Sequence, residues 1–398
     1  VKDPINFSDH SKGSHPRASI HNRRLVLKLL HDGPLTRSQL SEITGLRTST
    51  ITYIVRDLIQ NQIVRTVGKV ASQSVGRKQI LVEVNPHLGW SVGIGLGGDL
   101  ASLAYVDASR NMIDRDQFEI SGDIMETLTQ LKAHVDSWAK TRGHENGCLL
   151  SVGMGVPGMV DPQEGVVMRS TSLQVKDLPL AKLVKKHFKV NAYIDNDVNF
   201  AAHAEAQLGS AQEHLDFVYF LMNVNTVGDR YRIGSLGSSL YLDGRLRRGS
   251  HYVAGEIDLL LQAEERQMVS AEELLLMDKP DAPITESMHR LAVRMGTTMA
   301  AVADLIDPAA VVLGGNASIS NSKMIESIQA EMNQRLLQAP GREIRVLSSK
   351  FQDRGVSVGA AIAAIDAAML NLDESVLSRL SSHSGRLLDE SEQAPRFR

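Results

Sequence analysis

The sequence predicts an α/β protein in two parts: a small basic head of three short helices and a β-hairpin, then a larger body of two α/β halves. Three observations carry this. Residues 1–87 hold 13 Lys+Arg against 6 Asp+Glu, whereas the remainder holds 30 against 40. Apolar residues recur at helical spacing up to Gln60 and then fall into short strand-like runs. From Trp90 onward, runs of strand length end in glycine turns and are followed by helical stretches.

At 398 residues the chain is long enough for more than one domain. The division is placed at a head of residues 1–87 and a body of residues 88–398. A hydrophobic fraction of 42% with 22% charged residues is ordinary for a globular protein. No apolar run reaches the length of a membrane span, and Val1 to His21 lacks the apolar stretch of a signal peptide. The single Cys148 excludes an intrachain disulfide and a multi-cysteine zinc cluster. A reducing cytoplasm is the expected compartment. A basic head on an acidic body suggests that the head meets a polyanion.

The first helix is expected over about Ala18 to Leu30. The second starts after Thr36, an N-cap with Gln39 as capping-box partner, turns Leu40 and Ile43 inward and stops at Gly45. The third spans Thr48 to Gln60, with Ile51, Ile54, Val55 and Leu58 on one face. Its other face shows Thr48, Ser49, Thr52, Tyr53 and Arg56, with Arg47 and Thr50 at its start. Most such faces are simply solvated. Here the tight turn Thr44-Gly45-Leu46 joins two short helices, and a hairpin follows, Ile63 to Val67 and Ile80 to Val84, whose loop carries Lys69, Gly76, Arg77 and Lys78. Together these form a winged helix-turn-helix, with base-reading and phosphate-binding side chains on the third helix and the basic wing. The head is expected to fold separately and to bind duplex DNA as part of a homodimer or higher homo-oligomer.

In the body, Ser91 to Gly98 reads as a strand running into a glycine-rich turn, and Ala101 to Val106 as its neighbour. Leu128 to Trp138 is helical, and Leu149 to Val156 is a strand ending in Pro157-Gly158. Tyr193-Ile194 leads into Asp195-Asn196-Asp197, with a helix over Asn199 to Leu208. Phe217 to Met222 opens a second set of strands. Ser239 to Leu242 forms a hairpin arm, Ser287 to Leu305 a long helix and Ala310 to Leu313 a buried strand before Gly314-Gly315. Two halves imply a cleft in which a small molecule would bind.

In this order and spacing, Thr36-Arg37-Ser38-Gln39-Leu40 with Gly45-Leu46, Gly76-Arg77-Lys78, Gly155-Val156-Pro157-Gly158, Asp195-Asn196-Asp197-Val198-Asn199, Ala254-Gly255-Glu256-Ile257 and Asp307-Pro308 with Gly314-Gly315 resemble the ROK family (repressors, open reading frames and kinases) over residues 17–370. The chain is similar to its repressor branch, where a winged helix precedes an actin-like, sugar-kinase-like body. The resemblance implies that Asn196 and Asp197 match the sugar-binding pair, that Asp197 would be a general base in a kinase, and that Glu256 and, more loosely, Glu272 contact the sugar. Asp197 also stands where it could cap the following helix.

The departures from the family are equally specific. The kinases' D-x-G-G-T turn here reads Gly95-Leu96-Gly97-Gly98-Asp99, which loses the first Asp and sets an anion where phosphates would lie. Their second phosphate loop, G-T-G-I-G-x-G, here reads Ile233-Gly234-Ser235-Leu236-Gly237-Ser238-Ser239 after a polar insertion near Thr226 to Arg232. The metal and sugar histidine position is Leu259, and Gln267 to Leu276 carries no cysteine, so neither zinc nor another cofactor is expected. His251 is a lone histidine. The expectation is a non-enzymatic repressor of carbohydrate genes whose body senses a sugar or sugar phosphate. Its alternatives are an active sugar kinase with a DNA-binding head, and a regulator whose body only oligomerises.

Overall fold

The structure, a computed structural model, describes residues 16–70, 79–144, 148–227, 230–257, 268–315 and 321–371. In the head, α1 (Pro16–His31) is followed by β1 (Leu35–Thr36), α2 (Arg37–Thr44), α3 (Thr48–Gln60), β2 (Val64–Val70) and β3 (Gln79–Val84). Thr36 caps α2 through a complete capping box with Gln39, a device contributing about 1 kcal/mol. Gly45 ends the helix at φ 69°, a left-handed conformation that an L side chain resists. Leu40 fills the contact with the neighbouring helices, but Ile43 is 54% exposed, contrary to expectation. An eight-residue helix has one narrow buried face, and Leu40 is its single fully buried residue. The α3 stripe of Ile51, Ile54, Val55 and Leu58 is buried as its spacing requires. The strands pair antiparallel in the order β1-β3-β2. Arg77 and Lys78 lie outside the described residues.

The body opens with β4 (Trp90–Gly97), β5 (Leu100–Asp107), β6 (Met112–Glu119), α4 (Ile124–Thr141) and β7 (Leu149–Val156). A small antiparallel sheet of β8 (Met159–Asp161), β9 (Val166–Ser170) and β10 (Val175–Leu178) comes next, then α5 (Leu180–Phe188), β11 (Asn191–Asn196) and α6 (Asp197–Leu208). The first-lobe sheet has the order β11-β7-β4-β5-β6, with β4, β7 and β11 parallel. The second lobe contains β12 (Phe217–Val227), β13 (Arg230–Leu242), β14 (Arg245–Arg247), β15 (Met268–Val269), α7 (Ala271–Asp278), α8 (Glu286–Ile306), β16 (Ala310–Gly314), α9 (Ser322–Arg335), β17 (Arg345–Ser348) and α10 (Gly355–Leu370). Its sheet runs β14-β13-β12-β16-β17, with β15 on β13.

Two helices occupy the space between the sheets: α10 packs on β4 and β7, α6 packs on β12 and β13, and the two pack on each other. Small residues allow this. A Cβ at Gly93 of β4 would stand 2.0 Å from the Ser357 carbonyl oxygen, and one at Gly153 of β7 2.0 Å from that of Ala360. A Cβ at Gly359 of α10 would meet the Phe200 carbonyl oxygen of α6 at 1.7 Å. Gly93 and Gly95 therefore lie in a strand under a tightly packed helix, and the expected turn follows at Gly98-Asp99.

The far end of α10 reaches the head. Leu30, Leu58 and Val84 of the head share one buried cluster with Val106, Ile362 and Ile365 of the body. Arg24 of α1 donates to the Leu370 carbonyl at 3.1 Å and to Asn371 Oδ1 at 2.8 Å. The head's core is thus continuous with that of the body.

Candidate functional site

The face of α3 opposite its buried stripe is open. Arg47, Thr48, Ser49, Thr52, Tyr53 and Arg56 are exposed and Thr50 is half-buried, with Tyr53 62% exposed. Arg47 is the N-cap residue and supplies no side-chain cap, so the first N–H groups of a thirteen-residue helix have no acceptor from it, and the residue that opens the helix is an exposed cation. Ser41 donates to the Leu46 carbonyl at 2.6 Å and lies 3.3 Å from Thr48 Oγ1, which fixes the turn against the helix start. The Thr52 hydroxyl donates to the Thr48 carbonyl at 2.8 Å, leaving its methyl and a lone pair to the outside. Arg56 stacks over the Tyr53 ring, 5.8 Å from its centroid. The surface offers cations, hydroxyls and one aromatic group, the set that contacts phosphates and base edges.

The second cluster forms where β11 of the first lobe enters α6 between the sheets. Asn196, not Asp197, is the N-cap: its Oδ1 accepts from the N–H groups of Val198 at 2.9 Å and Asn199 at 3.3 Å. Its Nδ2 donates to the Gly158 carbonyl at 3.0 Å, tying the Gly-Val-Pro-Gly segment to the helix start. The helix begins at Asp197, two residues before the expected Asn199, and the cap falls on Asn196, which frees Asp197 from the capping role. Asp197 is instead the first helical residue, and one carboxylate oxygen accepts the Val198 N–H at 2.9 Å. Burial pushes its carboxyl up to about 6; the Val198 N–H opposes this, and the charges of Glu256 and Asp195 reinforce it.

Glu256 arrives from the second lobe. Gly255 stands at φ 93°, and a Cβ there would lie 2.1 Å from the Ser238 carbonyl oxygen, so this approach requires glycine. Ser238 donates both its N–H, at 3.1 Å, and its hydroxyl, at 2.8 Å, to the Gly255 carbonyl, and Glu256 bridges to Gly237. Asn196, Asp197 and Glu256 thus converge where the lobes meet. Glu272 does not join them: it is exposed in the first turn of α7, and the carboxylates acting on Asp197 are Glu256 and Asp195.

Of the two stretches aligned with phosphate loops, the first is strand up to Gly97 with a turn only at Gly98-Asp99, and the second is strand throughout. Gly95 and Gly97 are paired in β4, and a Cβ at Gly95 would stand 2.7 Å from Ser102 Oγ and 3.0 Å from Val356. An aspartate there would require its neighbours to move. Ile233 to Ser239 lies within β13, paired with β12 in a hairpin that extends to Val227 and Arg230. Backbone N–H groups committed to a ladder do not form a phosphate cradle. A cavity of about 480 Å³, bordered by Leu96, Gly98, Thr127, Leu173 and Gln174, lies beside the start of α4. None of Asn196, Asp197 and Glu256 lines it.

Of two paired residues at the lobe junction, Asp195 and Arg248, the second carries no signal of its own in the sequence. Asp195 is 1% exposed, and Arg248 donates to it from Nε at 3.0 Å and Nη2 at 2.6 Å. The Asp195-Asn196-Asp197 run marks one partner; nothing in Arg245-Leu246-Arg247-Arg248 distinguishes the other from its neighbours.

The ROK family model matches residues 91–263 and 257–367. A xylose repressor of Caldicellulosiruptor bescii is 25% identical over 408 residues, covering 91% of this chain and 99% of that protein. A solved ROK family transcriptional regulator, described as a homolog of the Escherichia coli Mlc protein, superposes with a TM-score of 0.70 at 21% identity, covering 92% of this chain and 99% of the other. A ROK glucokinase from Streptomyces griseus, solved with glucose and AMPPNP, reaches a TM-score of 0.55 at 20% identity, covering 69% of this chain and 99% of the other. Both structures share the body's fold.

Proposed function

Because this chain belongs to the ROK family, we propose that it is a sugar-responsive transcriptional repressor whose winged helix-turn-helix binds operator DNA and whose body is a sugar-kinase-like sensor without kinase chemistry. The observation that carries this is the coexistence of an exposed, uncapped, basic α3 start with an intact Asn196–Asp197–Glu256 junction and altered phosphate stretches. A relative that spans 91% of this chain is named a xylose repressor. A solved regulator of the family has the same overall fold.

A sugar hydroxyl can donate to Asp197 and to Glu256, and hydrogen bonds to charged acceptors contribute about 1.5–3 kcal/mol each. In this reading Asp197 accepts the hydroxyl that it would deprotonate in a kinase, and no phosphoryl acceptor is activated because no donor is held. Asn196 keeps one amide N–H for the ligand after bonding Gly158. Regulation requires that the sugar favour one arrangement of lobes and head over another. The pair α6–α10 supplies the route, since α6 begins at Asp197 and α10 ends against α1. A homodimer would present two α3 helices to a palindrome with half-sites one or more helical turns apart.

Selection of the full chain on random duplex DNA tests the reading: it should recover a palindromic sequence, and binding to that sequence should weaken when a sugar is added. The kinase alternative requires phosphoryl transfer from ATP to a sugar that disappears in Asp197→Asn.

A further inference from the structure

The segment from Arg248 to Glu256 belongs to the second lobe but is fastened to the first. Arg248 pairs with Asp195 at the end of β11, and its side chain is 14% exposed. Asp195 accepts, in addition, the Asn196 N–H at 2.8 Å and Asn199 Nδ2 at 3.0 Å, so its two oxygens meet four donors. Asn199 in turn accepts the Ser239 hydroxyl at 2.8 Å, which closes the network onto β13. Tyr252, at φ 58°, lies beside Asp161 of β8. The Arg248 carbonyl accepts the Ala254 N–H at 3.2 Å, drawing the segment into a closed turn whose end carries Glu256.

A buried ion pair is a poor source of net stability, because desolvation offsets the attraction. What this pair supplies is geometry. We propose that Arg248 is a positioning residue for effector recognition: its pair with Asp195 holds the 248–256 segment across the lobe boundary, so that Glu256 and Asp197 address one ligand. This rests on the reading of Asp197 and Glu256 as effector contacts. Ligand binding and lobe closure then use the same strap, with Arg248 at one end and Gly255 on Ser238 at the other. Arg248 touches no ligand itself; it acts through Glu256.

The test uses the full-length protein, Arg248→Met, and the double variant Asp195→Asn with Arg248→Met, which removes the charge left unpaired by the single change. D-xylose, D-glucose and N-acetylglucosamine are the probes. For any of them that binds the wild type, affinity falls ten-fold or more in Arg248→Met. The double variant recovers the thermal midpoint but not the affinity. Without any sugar, amide hydrogen exchange at Ser238 and Glu256 accelerates at least ten-fold in both variants, while Leu221 and Val312 of the central strands are unchanged. Sugar affinity within two-fold of wild type, or unaltered exchange at Ser238 and Glu256, overturns the proposal. If the wild type binds none of the three sugars, that result counts against the effector reading, and the exchange measurement still decides the role of Arg248.

Discussion

Arg110 holds Asp366 through two bonds, Nε to Oδ1 at 2.6 Å and Nη2 to Oδ2 at 2.8 Å, and also lies 3.7 Å from Asp32 at the end of α1. One guanidinium, in the turn between β5 and β6, therefore joins α10 of the body to the head. Beside it, burial and the Arg110 charge hold the His31 imidazole well below its ordinary titration range. Asp366 is 3% exposed, and burial raises its carboxyl even against the Arg110 charge. Arg110→Met would leave that carboxyl buried without its partner, at a cost of about 3–5 kcal/mol. Urea unfolding should show this loss, and Asp366→Leu in the same chain should recover most of it. The recovered double variant should bind sugar normally but release operator less on sugar addition; unchanged release would remove Arg110 from the coupling route.

Asp197 predicts a pH dependence with a definite sign. Its folded carboxyl titrates near 6, above its unfolded value of 3.8, so the folded state takes up the proton first. The group's unfavourable contribution is fully present above about pH 6 and disappears as pH falls toward 4. Asp197→Asn should therefore stabilise the ligand-free protein by about 3 kcal/mol at pH 7.5, and by about 1 kcal/mol at pH 4.5. Sugar affinity should fall as pH drops through about 6, because the protonated carboxyl loses acceptor capacity. Thermal unfolding and calorimetric titration across this range check both, and a pH-independent difference between wild type and variant would contradict the assignment.

The head separates affinity from sequence preference. Arg47→Ala should weaken operator and random DNA alike and reduce the salt dependence by about one counterion. The same outcome is expected for Arg77→Ala and Lys78→Ala in the wing. Tyr53→Ala and Thr52→Val should instead change which bases are preferred, with about 1–3 kcal/mol lost at the affected position. Fluorescence anisotropy at several salt concentrations distinguishes the two classes.

Phosphoryl transfer should be absent. With ATP, magnesium and any sugar that binds, turnover should not exceed that of Asp197→Asn, since β13 is a paired strand where a kinase has a loop. A coupled assay reports this directly.

The sequence discloses the head almost residue by residue, because caps, apolar spacing and a left-handed glycine are local signals: Thr36 with Gln39, Gly45, and the Ile51–Leu58 stripe. It locates Asp197 and Glu256 through motifs, yet starts the helix two residues late, since Asn196 and Asp197 are both competent caps and the Gly158 contact that holds Asn196 is 38 residues away in the chain. It is silent on α10. A helix of Ala, Gly, Val and Ile buried on every side has no polar face and so no period to read. The glycines of β4 and β7 are read as strand residues, but nothing in the sequence says that a helix packs on Gly93 and Gly153. Arg248 and Arg110 are likewise invisible, because each partner lies far along the chain, 53 and 256 residues away.

The central claim joins one site to another, so the most direct measurement follows both at once: operator affinity of the full chain with and without sugar, for wild type and Asp197→Ala. The wild type should lose operator affinity as D-xylose or a related sugar is added. Asp197→Ala should bind the same operator without sugar and need roughly ten- to hundred-fold more sugar to release it. An Asp197→Ala protein that releases operator at the wild-type sugar concentration would contradict the account.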